Sequence, residues 1–403
     1  MSSDNKYNLY TEHVVPDKVK KKRKLFKKIL NVCLMAVIFG VVASGIIIVS
    51  FNLFCKPDDH DEKTPSITIP VVQSPTEETT EPVNVPDKEQ LSHSGAFYEE
   101  IKTAVRNINK SHVNIIVEGL NNDATLQGGT ASFDGFAILN SEHDYYILTE
   151  YNAAFDSADI FIQYNSSDNI KCQYIGTDYN THLSILKATI EEPTLLTPIT
   201  TANSKIISPG DGVIVMGNLQ GRGTAIGCGI VTDNSSYIFK TDAEYAAIQT
   251  DVTGRDNTFA IICNMKGNLI AVQTAADETG AQGICSGYSI SDIVVSIQNV
   301  ANSVKRNYMG INGVTVSEEL MKRYNFPNGV YVTSVESGSP AFDAGIQSGD
   351  IICQIQELQI EDMKDYMSAV SSQDAHGRVT VVAKRKNMAG YKDVVFTFNL
   401  GVK

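Results

Sequence analysis

The 403 residues exceed what one compact domain usually holds and point to two or three folded units. A hydrophobic share of 42% with 20% charged residues is ordinary for a globular chain. A net charge of −13 argues against a nucleic-acid partner, which demands a concentrated basic face. That charge is uneven: residues 1–28 carry nine Lys/Arg against three Asp/Glu, a local +6 that leaves −19 on everything after them.

Residues 18–28, KVKKKRKLFKK, end at an apolar run from Ile29 to Cys55 that contains no charged side chain. About 20 apolar residues span a bilayer as a helix, so 29–55 is long enough to cross with room for tilt. Lys and Arg favour the cytoplasmic side, and the far flank, Lys56-Pro57-Asp58-Asp59-His60-Asp61-Glu62, is mostly acidic. The expected orientation is N-terminus inside and C-terminus outside. A cleaved signal peptide is the competing reading, but its apolar part would be shorter and end at a small-residue cleavage site, which does not follow Phe54.

From residue 56 to 95 the composition shifts to Pro, Thr, Glu, Val and Ser with few aromatics, which reads as an extracellular linker. A short binding motif hidden there is the alternative. The spacing then predicts a helix over Ala96–Asn107 and a first strand over His112–Glu118. Short strands follow up to Ile290: FAILN, YYILT, DIFIQY, IKCQYIG, LSILKA, GVIVMGN, AIGCGIVT, FAIICN and LIAVQT. Short strands separated by Gly, Asn and Asp turns predict an all-β barrel or sandwich over 96–300. A helix opened by a Ser or Asp cap is expected over 291–307, leading to a last module over 301–403.

In that module, Ser339-Pro340-Ala341 fits a helix start with Pro in its first turn, and Gly345 and Gly349 sit where turns need positive φ. A helix over Glu361–Val370 and strands around Val379–Ala383 and Val394–Asn399 complete a small α+β fold. Seven cysteines lack metal-type spacing, and no metal or cofactor is implied. Cys33 and Cys55 belong to the apolar run. Of the other five, Cys228 and Cys285 are the pair that merits checking as a disulfide, and Cys263 and Cys353 read as buried small hydrophobes.

The stretch Ile248-Gln249-Thr250-Asp251 to Asn264-Met265-Lys266-Gly267, IQTDVTGRDNTFAIICNMKG, resembles the nucleophile segment of the HtrA (Do-like, DegP-type) branch of the chymotrypsin-fold serine proteases. Other marks keep the family order. Asp134-Gly135-Phe136-Ala137-Ile138 resembles GSGFII, and Tyr146-Ile147-Leu148-Thr149 resembles GYILT. Ile175-Gly176-Thr177-Asp178 before Leu183-Ser184-Ile185-Leu186-Lys187 resembles GTDxxTDLAVLK, and Gly210-Asp211 with Met216-Gly217-Asn218 resembles VGDxVxAIGNP. Gly287-Tyr288-Ser289-Ile290 is similar to GFAIP, and Tyr308-Met309-Gly310-Ile311 to the YLGI that opens a PDZ domain. The resemblance implies a chymotrypsin-like double β-barrel and a C-terminal PDZ domain, preceded by one transmembrane helix.

The same resemblance assigns the triad positions, and each is substituted. Asn152 stands at the general-base histidine; an amide does not take up a proton near neutral pH. His182 stands at the orienting aspartate, and Thr258 at the nucleophilic serine. An internal threonine needs an adjacent base to act as a nucleophile. Asp256 and Asn257 occupy the oxyanion loop, where a carboxylate opposes the charge that develops in acyl transfer. His112 and His143 are the other histidines of this domain, and neither has a sequence reason to face Thr258.

The resulting expectation is an envelope protein anchored by one helix, probing unfolded proteins or protein C-termini through the PDZ residues Tyr308, Met309, Gly310 and Ile311, without hydrolysis. A PDZ domain used only for packing is the plainer alternative. A serine-type endopeptidase with a divergent site and a regulatory subunit of an active paralogue are the rival functions. The resemblance also suggests a homo-trimer, or a hetero-oligomer with that paralogue.

Overall fold

The computed structural model describes residues 68–69, 71–72, 90–118, 131–156, 159–164, 168–191, 195–221, 223–255, 258–275 and 283–403. The basic segment 1–28, the apolar run 29–55 and the loop residues Asp256 and Asn257 lie outside them. Among the described residues no helix is long and apolar enough to cross a membrane. Two parts of the expected linker are ordered structure. Val71–Val72 pairs in parallel with Thr201–Ala202 beside the buried Ile69, and helix α1, Gln90–Asn109, begins before residue 95.

Six strands follow α1: β1 His112–Glu118, β2 Ala131–Ser141, β3 Asp144–Glu150, β4 Asp159–Gln163, β5 Ile170–Thr177 and β6 Leu183–Thr189. They close into an antiparallel ring in the order β1-β2-β3-β6-β5-β4. Alternate side chains face one side of a strand, and β1 uses this to send Val113, Ile115 and Val117 into the core with Ala137, Ile147 and Leu186. Ile115 is fully buried, so Ile115→Ala would cost roughly 2–5 kcal/mol.

The second barrel contains β7 Gly212–Gly217, β8 Ala225–Asp233, β9 Tyr237–Lys240, β10 Ala243–Thr253, β11 Ala260–Asn264, β12 Leu269–Gln273 and β13 Ile284–Ser289. Its ring runs β7-β8-β10-β13-β12-β11, and β9 pairs with the start of β10 as a hairpin outside that ring. Helix α2, Ile290–Ala301, buries Ile293 and Ile297 in the core shared by the two barrels. It differs from expectation at both ends. The N-cap Ser289 makes no side-chain cap bond because its hydroxyl meets that of Ser204 at 2.6 Å. The helix stops at Ala301 rather than at residue 307, because Ser303 takes φ +56° and its N–H turns back to the Val300 carbonyl.

The C-terminal module holds β14 Ile311–Thr315, α3 Glu318–Tyr324, β15 Val330–Val335, α4 Pro340–Ala344, β16 Ile351–Ile355, α5 Met363–Ser371, β17 Arg378–Asn387 and β18 Gly390–Asn399. Its sheet order is β14-β15-β16-β17-β18. Ser339 caps α4 by accepting the Phe342 N–H, Pro340 sits in the first turn, and Gly345 ends the helix at φ +89°. Asp362 caps α5, which starts two positions later than the expected Glu361. The cysteines Cys172, Cys228, Cys263, Cys285 and Cys353 are all free thiols, with Cys228 exposed and Cys285 buried, so the Cys228–Cys285 disulfide does not form. Cys353 is only half-buried, unlike Cys263, and its thiol donates to the Asn328 carbonyl at 3.2 Å.

Candidate functional site

The ends of β2 and β3 and the loops entering β8 and β11 enclose a cleft of about 190 Å³ between the barrels. Asn152 and Thr258, the positions expected for base and nucleophile, both line it. The Thr258 hydroxyl donates to the Arg255 carbonyl at 2.9 Å, so its proton is directed into its own loop. That loop is held from below by the buried side chain of Gln273, whose Nε2 donates to the carbonyls of Arg255 at 3.1 Å and Thr258 at 3.2 Å. Gln273 Oε1 accepts the Ser286 N–H at 3.1 Å.

His182 does not line the cleft with them. It takes φ +57° at the end of the β5–β6 turn, and its side chain is exposed. The buried Asp178 closes that turn by accepting both the N–H and the hydroxyl of Thr181, at 2.9 and 2.8 Å. Only the His182 carbonyl reaches the cleft wall, where it accepts the Tyr151 N–H at 2.7 Å.

Two carboxylates that line the cleft escaped the sequence reading. Glu150 lines it, and burial raises its carboxyl pKa, opposed by the Ala275 N–H that it accepts. Asp134 lines it from β2 and meets His112 Nε2 at 2.8 Å, with the ring of His112 packed 5.2 Å from that of Phe136. The Thr224 hydroxyl also donates to Asp134. The His112–Asp134 pair is legible only once His112 is known to stand opposite Phe136 in the β1–β2 register. His143 lies in the β2–β3 turn and is not among the residues lining the cleft. Among the described residues, no group of three His, Cys, Asp or Glu side chains is arranged to hold a metal ion.

Comparison with known proteins agrees with this geometry. A PDZ domain family profile matches residues 291–394. The periplasmic pH-dependent serine endoprotease DegQ of Escherichia coli is 26% identical over 252 residues, 61% of this chain and 55% of the relative. The putative serine protease HhoB of Synechocystis is 23% identical over 400 residues, 88% of this chain and 93% of its own. The solved structure of the HtrA-type protease AlgW with a tripeptide superposes with a TM-score of 0.54 at 22% identity, covering 75% of this chain and 97% of that one. The chain has the HtrA-type fold. It spans about half the length of several curated relatives it matches, including DegQ.

The second candidate site is the opening loop of the PDZ domain in this HtrA-type chain. Gly310 takes φ +91°, and a Cβ there would lie 2.1 Å from Ser339, so the loop turns tightly enough to aim successive N–H groups at one point. That point holds the carboxylate of Asp242, from the β9–β10 turn. Met309 and Gly310 donate their N–H groups to Oδ2 at 2.7 Å each, and Ile311 donates to Oδ1 at 3.0 Å. The expected fourth member, Tyr308, instead turns its hydroxyl to Glu336, and its phenol is pushed up to about 12 by burial and by that carboxylate. The Lys403 ammonium lies 3.8 Å from the centre of the Tyr308 ring.

Proposed function

We propose that this chain is a membrane-anchored, HtrA-like pseudoprotease of the bacterial envelope, which binds protein C-termini or unfolded proteins through its PDZ domain and does not hydrolyse them. The observation that carries the reading is the state of Thr258. Its hydroxyl proton is given to a backbone carbonyl, and the position expected to supply a base holds Asn152. Loss of a triad member typically costs on the order of 10⁴-fold in rate, and here each position differs. Peptide binding is supported by the PDZ loop geometry and by AlgW, a protein of the same fold solved with a tripeptide. The anchor rests on the uncharged run 29–55 behind its basic flank, and the outward orientation on the Lys/Arg asymmetry.

The test is cleavage of a fluorescently labelled unfolded protein by the full chain in detergent, beside Thr258→Ala. Both are expected to be silent from pH 6 to 9, roughly the span over which a histidine base works. Cleavage by the parent that disappears in Thr258→Ala would overturn the reading. One observation favours a second reading, a divergent serine-type endopeptidase: the His112–Asp134 pair borders the same cleft. Activity that is lost in His112→Gln would support it.

A further inference from the structure

Asp242 is 2% exposed, and both oxygens of its carboxylate are saturated. Oδ2 accepts from Met309 and Gly310; Oδ1 accepts from Ile311 and from the Tyr366 hydroxyl of α5 at 2.5 Å. Four donors match the four acceptor sites of an ionised carboxylate. The backbone of Asp242 is engaged as well. Its N–H donates to the Ile311 carbonyl at 2.7 Å, and its own carbonyl accepts from Arg306 Nη2 at 2.7 Å. On either side, the Thr241 hydroxyl reaches Asn312 Oδ1 at 3.0 Å and the Glu336 carboxylate at 2.7 Å, and the Glu244 N–H points at the sulfur of Met367 on α5. The turn therefore occupies the head of the groove between β14 and α5.

A carboxylate held by successive loop N–H groups, next to a backbone N–H paired to the edge strand, is the arrangement by which a sheet edge captures a peptide end. Here both contacts come from the protein's own barrel. Building on the peptide-binding reading above, we infer that Asp242 is an internal ligand of the PDZ domain, and that an external polypeptide with a free C-terminal carboxylate binds only when the Thr241–Asp242 turn withdraws. The apparent affinity is then the intrinsic affinity scaled by the fraction of molecules with the turn released. The turn begins β10, which runs on to Thr253, two residues before the Arg255 carbonyl that accepts the Thr258 hydroxyl. Withdrawal of the turn thus pulls on the strand that leads to the cleft.

The test uses the full chain with short random-sequence fluorescent peptides ending in either a free carboxylate or an amide. Asp242→Gly removes the carboxylate while accepting the φ of +55° at this position, and Asp242→Asn keeps the shape and loses the charge. Asp242→Gly is expected to bind the carboxylate peptides at least ~10-fold more tightly than the parent, the factor set by a closed state favoured ten to one. Neither protein should bind the amides, and Asp242→Asn should fall between the other two. Amide hydrogen exchange at Met309, Gly310 and Ile311, slow in the parent, should become fast in Asp242→Gly without any peptide.

Equal peptide affinity in parent and variants would overturn the internal ligand and leave peptide binding standing. Exchange that does not change between parent and Asp242→Gly would overturn it whatever the peptides do. No binding by any of the proteins, or equal binding of the amides, would remove the peptide-binding reading and this inference with it. If Asp242→Gly fails to fold, Asp242→Asn carries the same comparison.

Discussion

Gln273→Met tests whether the loop that carries Thr258 is clamped as the geometry indicates. The substitution keeps the length of an unbranched side chain and removes both ends of the amide. Four hydrogen bonds disappear: to the Arg255 carbonyl, to the Thr258 carbonyl, a long one of 3.5 Å to the Thr258 hydroxyl, and from the Ser286 N–H. Arg255 is exposed and Thr258 half-buried, so water can replace the donor at each for about 0.5 kcal/mol, the low end for a net hydrogen bond. Ser286 is buried in β13, and losing the acceptor there belongs at about 1–3 kcal/mol. Extra apolar burial by methionine returns about 1 kcal/mol. The expected destabilisation is about 2 kcal/mol, read as a lower guanidinium midpoint with an unchanged slope. Far-UV circular dichroism suits the measurement because the chain has no tryptophan. A change below about 0.5 kcal/mol, within the range of an ordinary surface substitution, would refute the clamp.

Thr258→Ala removes the bond to the Arg255 carbonyl and the long 3.5 Å bond accepted from Gln273 Nε2, so it should cost about 0.5–1 kcal/mol; a larger loss would mean the hydroxyl has a structural role beyond those bonds. Burial raises the Glu150 pKa above its ordinary 4.5, so the folded state holds that proton more tightly than the unfolded one. The associated penalty is absent below about pH 4.5 and fully present above the folded pKa, so Glu150→Gln should be more stable than the parent at pH 7 and equal to it at pH 4. A parent that is the more stable at pH 7 would contradict this. In the PDZ domain, Arg385 grips the buried Asp350 with two bonds of 2.7 Å. Arg385→Met leaves that carboxylate without its partner, and since the arginine is about one-third exposed the expected cost is about 2–3 kcal/mol, below the 3–5 typical of a fully buried pair. Thermal unfolding that moves by less than 1 kcal/mol would show that water replaces the guanidinium.

The barrel strands were legible because period-2 burial is written into them. The expected strand His112–Glu118 matches β1 residue for residue, and FAILN, YYILT and LSILKA lie within β2, β3 and β6. The hairpin strand β9 was not, since YIFK is only four residues and exposes Tyr237 and Phe239 alternately with buried Ile238. Helix α2 ends earlier than its sequence suggests because Asn302 and Ser303 are neither Gly nor Pro, and the positive φ that ends the helix falls on a serine. At the cleft, the positions of Asn152 and Thr258 followed from motif order, whereas the exposed ring of His182 depends on a turn that Asp178 closes three-dimensionally. Glu150 stands two residues before Asn152 at the end of β3, where no motif marks it, whereas Asp134 lies on the neighbouring β2 and reaches the cleft through the β2–β3 pairing.

Asp242 marks the limit most clearly. It lies 67 residues before Met309, in a stretch whose family likeness begins only at Ile248, and no local pattern distinguishes it from a turn aspartate. Its burial has a physical implication that extends to the whole chain. An uncompensated carboxylate inside a protein costs several kcal/mol, so the turn stays where it is only because loop, helix and strand together supply all its donors. Removing any one donor weakens the rest, and Tyr366→Phe, which deletes the hydroxyl on Oδ1, should therefore loosen the turn without touching the loop N–H groups. The expected result is faster hydrogen exchange at Met309 and Gly310, whose own acceptor is the other oxygen. Exchange that quickens at Ile311 alone would mean that the two oxygens act independently and that the turn does not release as a unit.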